Sequence, residues 1–172
     1  MRKLAVLFTT VLLFASCTQT KVGYVDVEEL MKDYDATKAM EEKLKEEQEV
    51  MAKSLDSLMA PFQAKVQDFY SKAQRMSQKT LQAKQAELEQ EQQMLQARQQ
   101  QAQQLMQQKG QEGIEALTKV VDSVVADYAK LNKFNVVLGT QGNGTVMYGD
   151  DNINLTETIL DILNADFEEK SK

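Results

Sequence analysis

Cys17 is the residue of this 172-residue chain whose type and position point most directly to covalent chemistry. It is the only cysteine, and Leu13-Phe14-Ala15-Ser16 precede it. Ahead of these lie Arg2, Lys3 and an apolar run of 11 residues, Leu4 to Phe14. A run that short does not span a bilayer, which needs about 20 residues, and it suits a signal segment. Small residues before a lone thiol resemble a lipobox, where the peptide is cut ahead of the cysteine and the sulfur receives diacylglycerol. Thioether attachment with amino-terminal acylation adds about 0.8 kcal/mol per buried CH₂, so such an anchor holds stably.

Other chemistry is scarce. A single Cys excludes intrachain disulfides and cysteine-based zinc sites. The chain has no His, which removes the commonest general base and metal ligand. Glu41, Glu42, Glu46 and Glu47 are spaced like solvated or ion-paired helix positions, not like an isolated acid–base pair. Gly139-Thr140-Gln141-Gly142-Asn143-Gly144 lacks the spacing, the following Lys-Ser/Thr and the adjoining helix of a phosphate loop. Asn143-Gly144-Thr145 and Asn154-Leu155-Thr156 match glycosylation sequons, but in a lipoprotein of this kind they read as incidental. A net charge of −6 disfavours nucleic acid, whose phosphates repel it. The sequence therefore predicts no enzyme, no cofactor, no metal site and no nucleic-acid partner.

The remaining pattern is architectural. Val22 to Val27 reads as a short strand and Glu28 to Tyr34 as a short helix. From Ala36 a helical stripe begins: Met40, Leu44, Met51, Leu55, Leu58, Phe62, Val66 and Phe69 recur at threes, fours and sevens. Leu81, Leu88, Leu95 and Ala102, then Ile114 to Leu131, form a second. Arg75 to Thr80 is apolar-poor and marks a reversal, so the stripes predict an antiparallel helical hairpin. A reversal near residue 78 sets position 61 opposite about position 95. Pro61 should kink the first arm, and Gly110 and Gly113 should weaken the second. Gln82 to Gln111 contains 14 Gln, read as a solvated face on a softer part of the hairpin or as a surface that hydrogen-bonds many partners.

After Asn132 the strand signal returns. Phe134 to Leu138 and Thr145 to Tyr148 flank an Asn-Gly pair and predict a β-hairpin. Asn154 with Glu157 resembles a capping box starting a last helix. The expected fold is α+β, mostly α, with a long helical hairpin projecting from a small β body. The expected divisions are a signal peptide at 1–16, a lipidated tether at 17–21, an arm at 36–131, a body at 22–35 with 132–167, and a flexible tail at 168–172. A body of that size buries too little surface to stand alone, and its strand edges invite pairing between copies. Val25, Val27, Val136, Leu138 and Val146 are the candidate oligomer contacts.

Lys21-Val22-Gly23-Tyr24-Val25-Asp26, the Gln/Lys/Glu-rich hairpin, Phe134-Asn135-Val136-Val137-Leu138, Val146-Met147-Tyr148 and Asn154-Leu155-Thr156 together resemble, in their order, the Skp/OmpH family of periplasmic chaperones. The resemblance spans about Lys21 to Phe167 and rests on order and spacing, with no single highly specific motif. It implies a trimer with a small β-barrel body and three helical tentacles. Unfolded outer-membrane β-barrel proteins would be held between them without ATP. Typical members are soluble and strongly basic, whereas this chain carries Cys17 and is acidic.

Between Phe62 and Ala86 the chain has Lys65, Lys72, Arg75, Lys79 and Lys84 against Asp68 alone, a net charge of +4. In a trimer that makes about twelve positive charges at the cavity mouth, a ring able to steer acidic unfolded chains or anionic lipid. Met40, Met51, Met59, Met76, Met94 and Met106 add soft, adaptable contacts. A tether of four residues, Thr18 to Lys21, reaches roughly 14 Å and would seat the body against the membrane. The alternative is a structural coiled-coil envelope lipoprotein, a spacer or tether that binds no client.

Overall fold

A computed structural model describes residues 20–140 and 146–172. The signal segment, Cys17 and the Gly142 to Thr145 turn lie outside the described residues. The chain divides into two compact units, residues 33–120 and the remainder.

The remainder is the strand unit. β1 (Val22–Asp26) pairs with β2 (Val136–Thr140) in a parallel two-stranded sheet, Val22 opposite Val136 and Asp26 opposite Thr140. Parallel neighbours need a crossover, and here the crossover contains the whole helical hairpin. Asp26 ends the strand by capping the first helix: its carboxylate accepts the Glu28 and Glu29 N–H groups, both at 3.1 Å. Val27 is therefore the first residue of α1 (Val27–Asp33), not the last of the strand.

Lys21 is fastened at the start of β1 and is not a free end of a tether. Its N–H donates to the Asn135 side chain at 2.8 Å, and its carbonyl accepts the Asn135 N–H at 2.8 Å. Its ammonium reaches the Asn132 carbonyl at 3.1 Å and lies 3.9 Å from the centroid of the Phe134 ring. Gly23 leaves room that a side chain would fill: a Cβ there would stand 2.6 Å from Leu155 Cδ1 and 3.1 Å from Phe134 Cε1.

Among the described residues the expected β-hairpin does not appear. Among the described residues β2 is the last strand, and 146–150 have no strand structure. In its place β1 meets Asn154 across an isolated parallel bridge, and the Leu155 N–H donates to the Tyr24 carbonyl at 2.8 Å. The alternation of Val146 to Tyr148 is a local signal and says nothing of which strand lies alongside. Met147 and Tyr148 are 96% and 84% exposed.

The last helix, α4 (Thr156–Lys170), starts without the expected capping box. The Asn154 carboxamide instead accepts from the Thr156 N–H at 2.9 Å and hydroxyl at 2.6 Å, and that hydroxyl accepts the Asp26 N–H at 2.8 Å. α4 packs on β1. Leu30, Ile159 and Leu163 are fully buried, with Val25, Val121 and Leu155 close behind.

The hairpin unit is built on the helical stripes. Gly is absent from 24 to 109, which leaves few breakers. α2 (Asp35–Lys72) runs through Pro61 without interruption, and a 3₁₀ turn at Ala73–Arg75 ends it. Ser77 starts α3 (Gln78–Leu131): its hydroxyl accepts the Thr80 N–H at 3.2 Å. The reversal, residues 73–77, starts two residues before the expected Arg75 to Thr80 segment and overlaps it. In the strand unit α3 ends in a Schellman arrangement, Phe134 N–H to Ala129 carbonyl at 2.9 Å and Lys133 N–H to Lys130 carbonyl at 3.3 Å. Lys133 occupies the left-handed position, at φ 57°, where glycine is usual.

Candidate functional site

Two ion pairs cross the seam of the hairpin unit. The Lys109 ammonium meets Glu47 at 2.5 Å, and the Lys65 ammonium meets both carboxylate oxygens of Glu91 at 2.7 and 2.9 Å. In each pair the residue numbers total 156, close to the pairing of position 61 with about position 95 expected from a reversal near residue 78. The hydrogen bond from Lys109 holds the Glu47 carboxyl below the usual carboxylate range, against the opposing effect of desolvation; the charges of Lys109 and Lys43 act in the same direction as the hydrogen bond.

The pairs bracket a stretch of different chemistry. Residues 48–64 of α2 face residues 92–108 of α3, and these 34 positions carry only Glu49, Lys53, Asp56 and Arg98 as charges. Leu95 and Ala102 lie buried at the seam, while Leu58, Met59, Met94 and Leu105 are each more than a third exposed. A shallow groove of about 410 Å³ runs along one side of the seam, floored by Met51, Leu55, Leu58 and Leu105. Arg98, Gln101, Gln104 and Gln108 form its α3 rim at helical spacings of three and four. A second groove, about 310 Å³, flanks the other side with Gln99, Gln103 and Met106. Nearer the turn, Phe62, Val66, Phe69, Tyr70, Leu81 and Leu88 line a third, about 600 Å³.

The glutamines on these rims are largely uncommitted. Within 82–111, Gln85 donates to Glu89 and Gln108 to Glu112; among the described residues no other Gln of that stretch makes a side-chain hydrogen bond. Fixing one Gln side chain costs about 1.5–2 kcal/mol of rotamer freedom. A hydrogen bond returns a net of about 0.5–1.5 kcal/mol. One glutamine hydrogen bond to a ligand is thus neutral at best, and net affinity for a ligand would have to come from the apolar floor.

The structure separates the five basic residues chosen from the sequence. Lys65 pairs with Glu91, Lys72 with Asp68 at 2.6 Å, and Lys84 with Glu87 at 2.6 Å. That last hydrogen bond raises the Lys84 pKa and lowers that of Glu87. Arg75 and Lys79 alone of the five have no acidic partner among the described residues. Because Lys65 lies opposite Glu91, the end of the hairpin extends to residue 91 and includes Glu87, Glu89 and Glu91. Five bases then face four acids, a net of +1, and the +4 window between Phe62 and Ala86 stops short of its counter-charges.

The five candidate body residues also part company. Val25 is buried inside its own strand unit, 2% exposed, and Val27 opens α1. Val136 and Leu138 are exposed on β2, at 45% and 39%, and half-buried Val146 belongs to no strand. Leu131, the last residue of the second helical stripe, and Met147 and Tyr148, from the segment expected as a strand, are exposed apolar side chains. Of the methionines, Met51 and Met106 line the grooves, Met76 lines a small pocket beside the turn, and Met40 sits over Gly113, whose missing Cβ admits its sulfur. Glu47 pairs across the seam, not along its own helix. The signal that places it is an opposite charge at the position mirrored across the reversal.

Among the described residues no helix is long and apolar enough to cross a membrane, and no cluster of three or more Asp, Glu, His or Cys side chains is placed to hold a metal ion.

The sequence matches the family described as outer membrane protein (OmpH-like) over residues 21–163. A solved structure from Caulobacter crescentus CB15, of a protein described as an OmpH-like outer membrane chaperone, is similar in fold with a TM-score of 0.77. The likeness covers 88% of both chains at 15% identity. A comparison with curated protein sequences finds no match.

Proposed function

The chain belongs to the OmpH-like family, and on that basis we propose that it is an ATP-independent periplasmic holdase for unfolded outer-membrane β-barrel proteins. The observation that carries this reading is the hairpin unit's apolar seam, left open along both sides between two ion pairs. Such a surface offers many weak contacts and no deep pocket, which suits varied clients and reversible holding. Release then needs no nucleotide: the client leaves when it folds in the membrane or its insertion machinery.

The proposal extends to assembly. Exposed Val136 and Leu138, and β2 itself at the edge of a two-stranded sheet, supply an apolar, pairing-competent surface for further copies. A trimer in which three strand units share a body and three hairpins enclose the client is what the family resemblance implies. Arg75 and Lys79 are the members of the basic set with charge to spare for acidic client segments; Lys65, Lys72 and Lys84 contribute mainly to local pairing.

Lipidation at Cys17 completes the reading, with anchoring to the inner leaflet of the outer membrane. Since Lys21 is held by the strand unit, three residues separate it from Cys17. A span that short reaches only about 10–14 Å, so the strand unit would lie against the bilayer.

Dilution of a urea-unfolded outer-membrane protein into the purified chain tests the central claim. Suppressed light scattering at one trimer per client is expected. Scattering equal to that of a buffer control, at a measured trimer mass, would leave a structural spacer. Lipidation is checked separately by the intact mass of membrane-extracted protein and of a Cys17→Ser variant. Equal masses for the two, beyond the one-atom difference, would remove the anchor.

A further inference from the structure

We propose that the groove between the Glu47–Lys109 and Lys65–Glu91 pairs is a docking track for one extended, uncharged polypeptide segment, about three to five residues of which lie in it, and that the α3 glutamines recognise its main chain. The inference deepens the holdase reading and rests on it.

Length is the first argument. The groove's lining runs from Met51 to Leu58 on α2 and from Arg98 to Gln108 on α3, about 10–15 Å at 1.5 Å per residue. An extended chain rises about 3.3 Å per residue, so about three to five residues fill the groove. A membrane-spanning β-strand has about 9–11 residues, so one unfolded client strand is long enough to cover it.

Charge is the second. Arg98 is the one charged side chain on the groove's lining, and no carboxylate lines it, while charged pairs stand beyond both ends. An ionised rim would have to be desolvated whenever an apolar chain settled on it, and that loss would oppose binding. A carboxamide is cheaper to desolvate.

Hydrogen-bond chemistry is the third. An unfolded strand has unpaired N–H and C=O groups along both edges. Asp and Glu only accept and Lys only donates, whereas each Gln does both. Gln101 and Gln104 are exposed on the rim and make no side-chain hydrogen bond among the described residues. Below them, Leu55, Leu58 and Leu105 take the apolar side chains of alternate client residues. Main-chain recognition is blind to side-chain identity, so one track accepts many sequences that share an alternating pattern.

The test uses the full chain and a fluorescent nine-residue peptide of alternating leucine and threonine, capped at both ends. Its partner probe has the same side chains but N-methylated threonines. Replacing Gln101 and Gln104 together with Glu should weaken binding of the first peptide at least fivefold; Gln101→Ala/Gln104→Ala should weaken it two- to fivefold. The N-methylated peptide should bind wild type at least threefold more weakly and should not distinguish wild type from the alanine variant. Circular dichroism and sedimentation mass accompany each variant. Equal affinity of both peptides for wild type, or of the first peptide for all three proteins, overturns the inference. So does a change of mass in the glutamate variant, because it would mean that a second copy of the chain occupies the groove. Wild type that protects an unfolded client while the variants protect equally well overturns the track alone; wild type that protects no client overturns the holdase reading itself.

Discussion

The strand unit and the hairpin unit bury apolar side chains by different means. Leu30, Ile159 and Leu163 disappear completely from solvent within the strand unit. Along the hairpin seam Leu95 and Ala102 are buried, while Leu58, Met59, Met94, Leu105 and Ile114 remain substantially exposed. A small core must close on itself because it has little surface to spare. A two-helix seam cannot close, since two cylinders cover only one stripe of each other. The same sequence periodicity therefore yields a sealed core in one unit and an open apolar track in the other.

Core truncation should widen this contrast most. Ile159→Ala or Leu163→Ala should cost about 2–5 kcal/mol, as expected for a fully buried aliphatic residue. Leu58→Ala, already partly solvated, should cost about 1 kcal/mol or less. Urea melts followed by circular dichroism at fixed protein concentration compare them. Equal losses would mean that the hairpin seam is sealed after all.

Glycine replacement probes close approach in each unit. Gly23→Ala forces a Cβ onto Leu155 and Phe134 and should destabilise by about 1–3 kcal/mol. Gly113→Ala meets only the flexible Met40 side chain and gains about 1 kcal/mol of helix propensity, so it should lie within about 1 kcal/mol of wild type. A larger loss at 113 than at 23 would reverse the assignment of tight and loose packing.

Lys133 offers a gain. Its left-handed backbone at the end of α3 is costly for a side chain and free for glycine, so Lys133→Gly should stabilise by up to about 1 kcal/mol. A lower midpoint in the same melts would mean that the lysine side chain contributes more than the backbone costs.

Acid should have the smallest effect, confined to the hairpin. Glu47 has a lowered pKa when folded, so its contribution is present above the unfolded carboxylate range and is lost as pH falls through the lower, folded value. With no His in the chain, helicity should hold steady from pH 8 to 5 and decline below about pH 4. Glu47→Gln should reduce the part of that decline that salt also abolishes. An unchanged acid profile in this variant would leave the pair without energetic weight.

Much of the fold could be read directly from the residues, because helices declare themselves locally. The 3–4 stripes, the apolar-poor reversal and the absence of Gly from 24 to 109 suffice for two long helices and the approximate place of the turn between them. The β region was less legible for a physical reason. Alternation marks extended backbone, but pairing is non-local, and nothing near Val146 to Tyr148 reports that β1 takes β2 in parallel and bridges to Asn154. The candidate site was legible in its composition and not in its geometry. The Gln tract and the basic turn were visible, yet which charges cancel depended on what lies across the seam. Sequence alone determined which stretches are helical and which residue types line them. Tertiary structure decided that Lys65 meets Glu91 and Glu47 meets Lys109, because a charge acts on whatever is nearest in space, and residues 26 and 62 positions apart become neighbours only when the chain turns back.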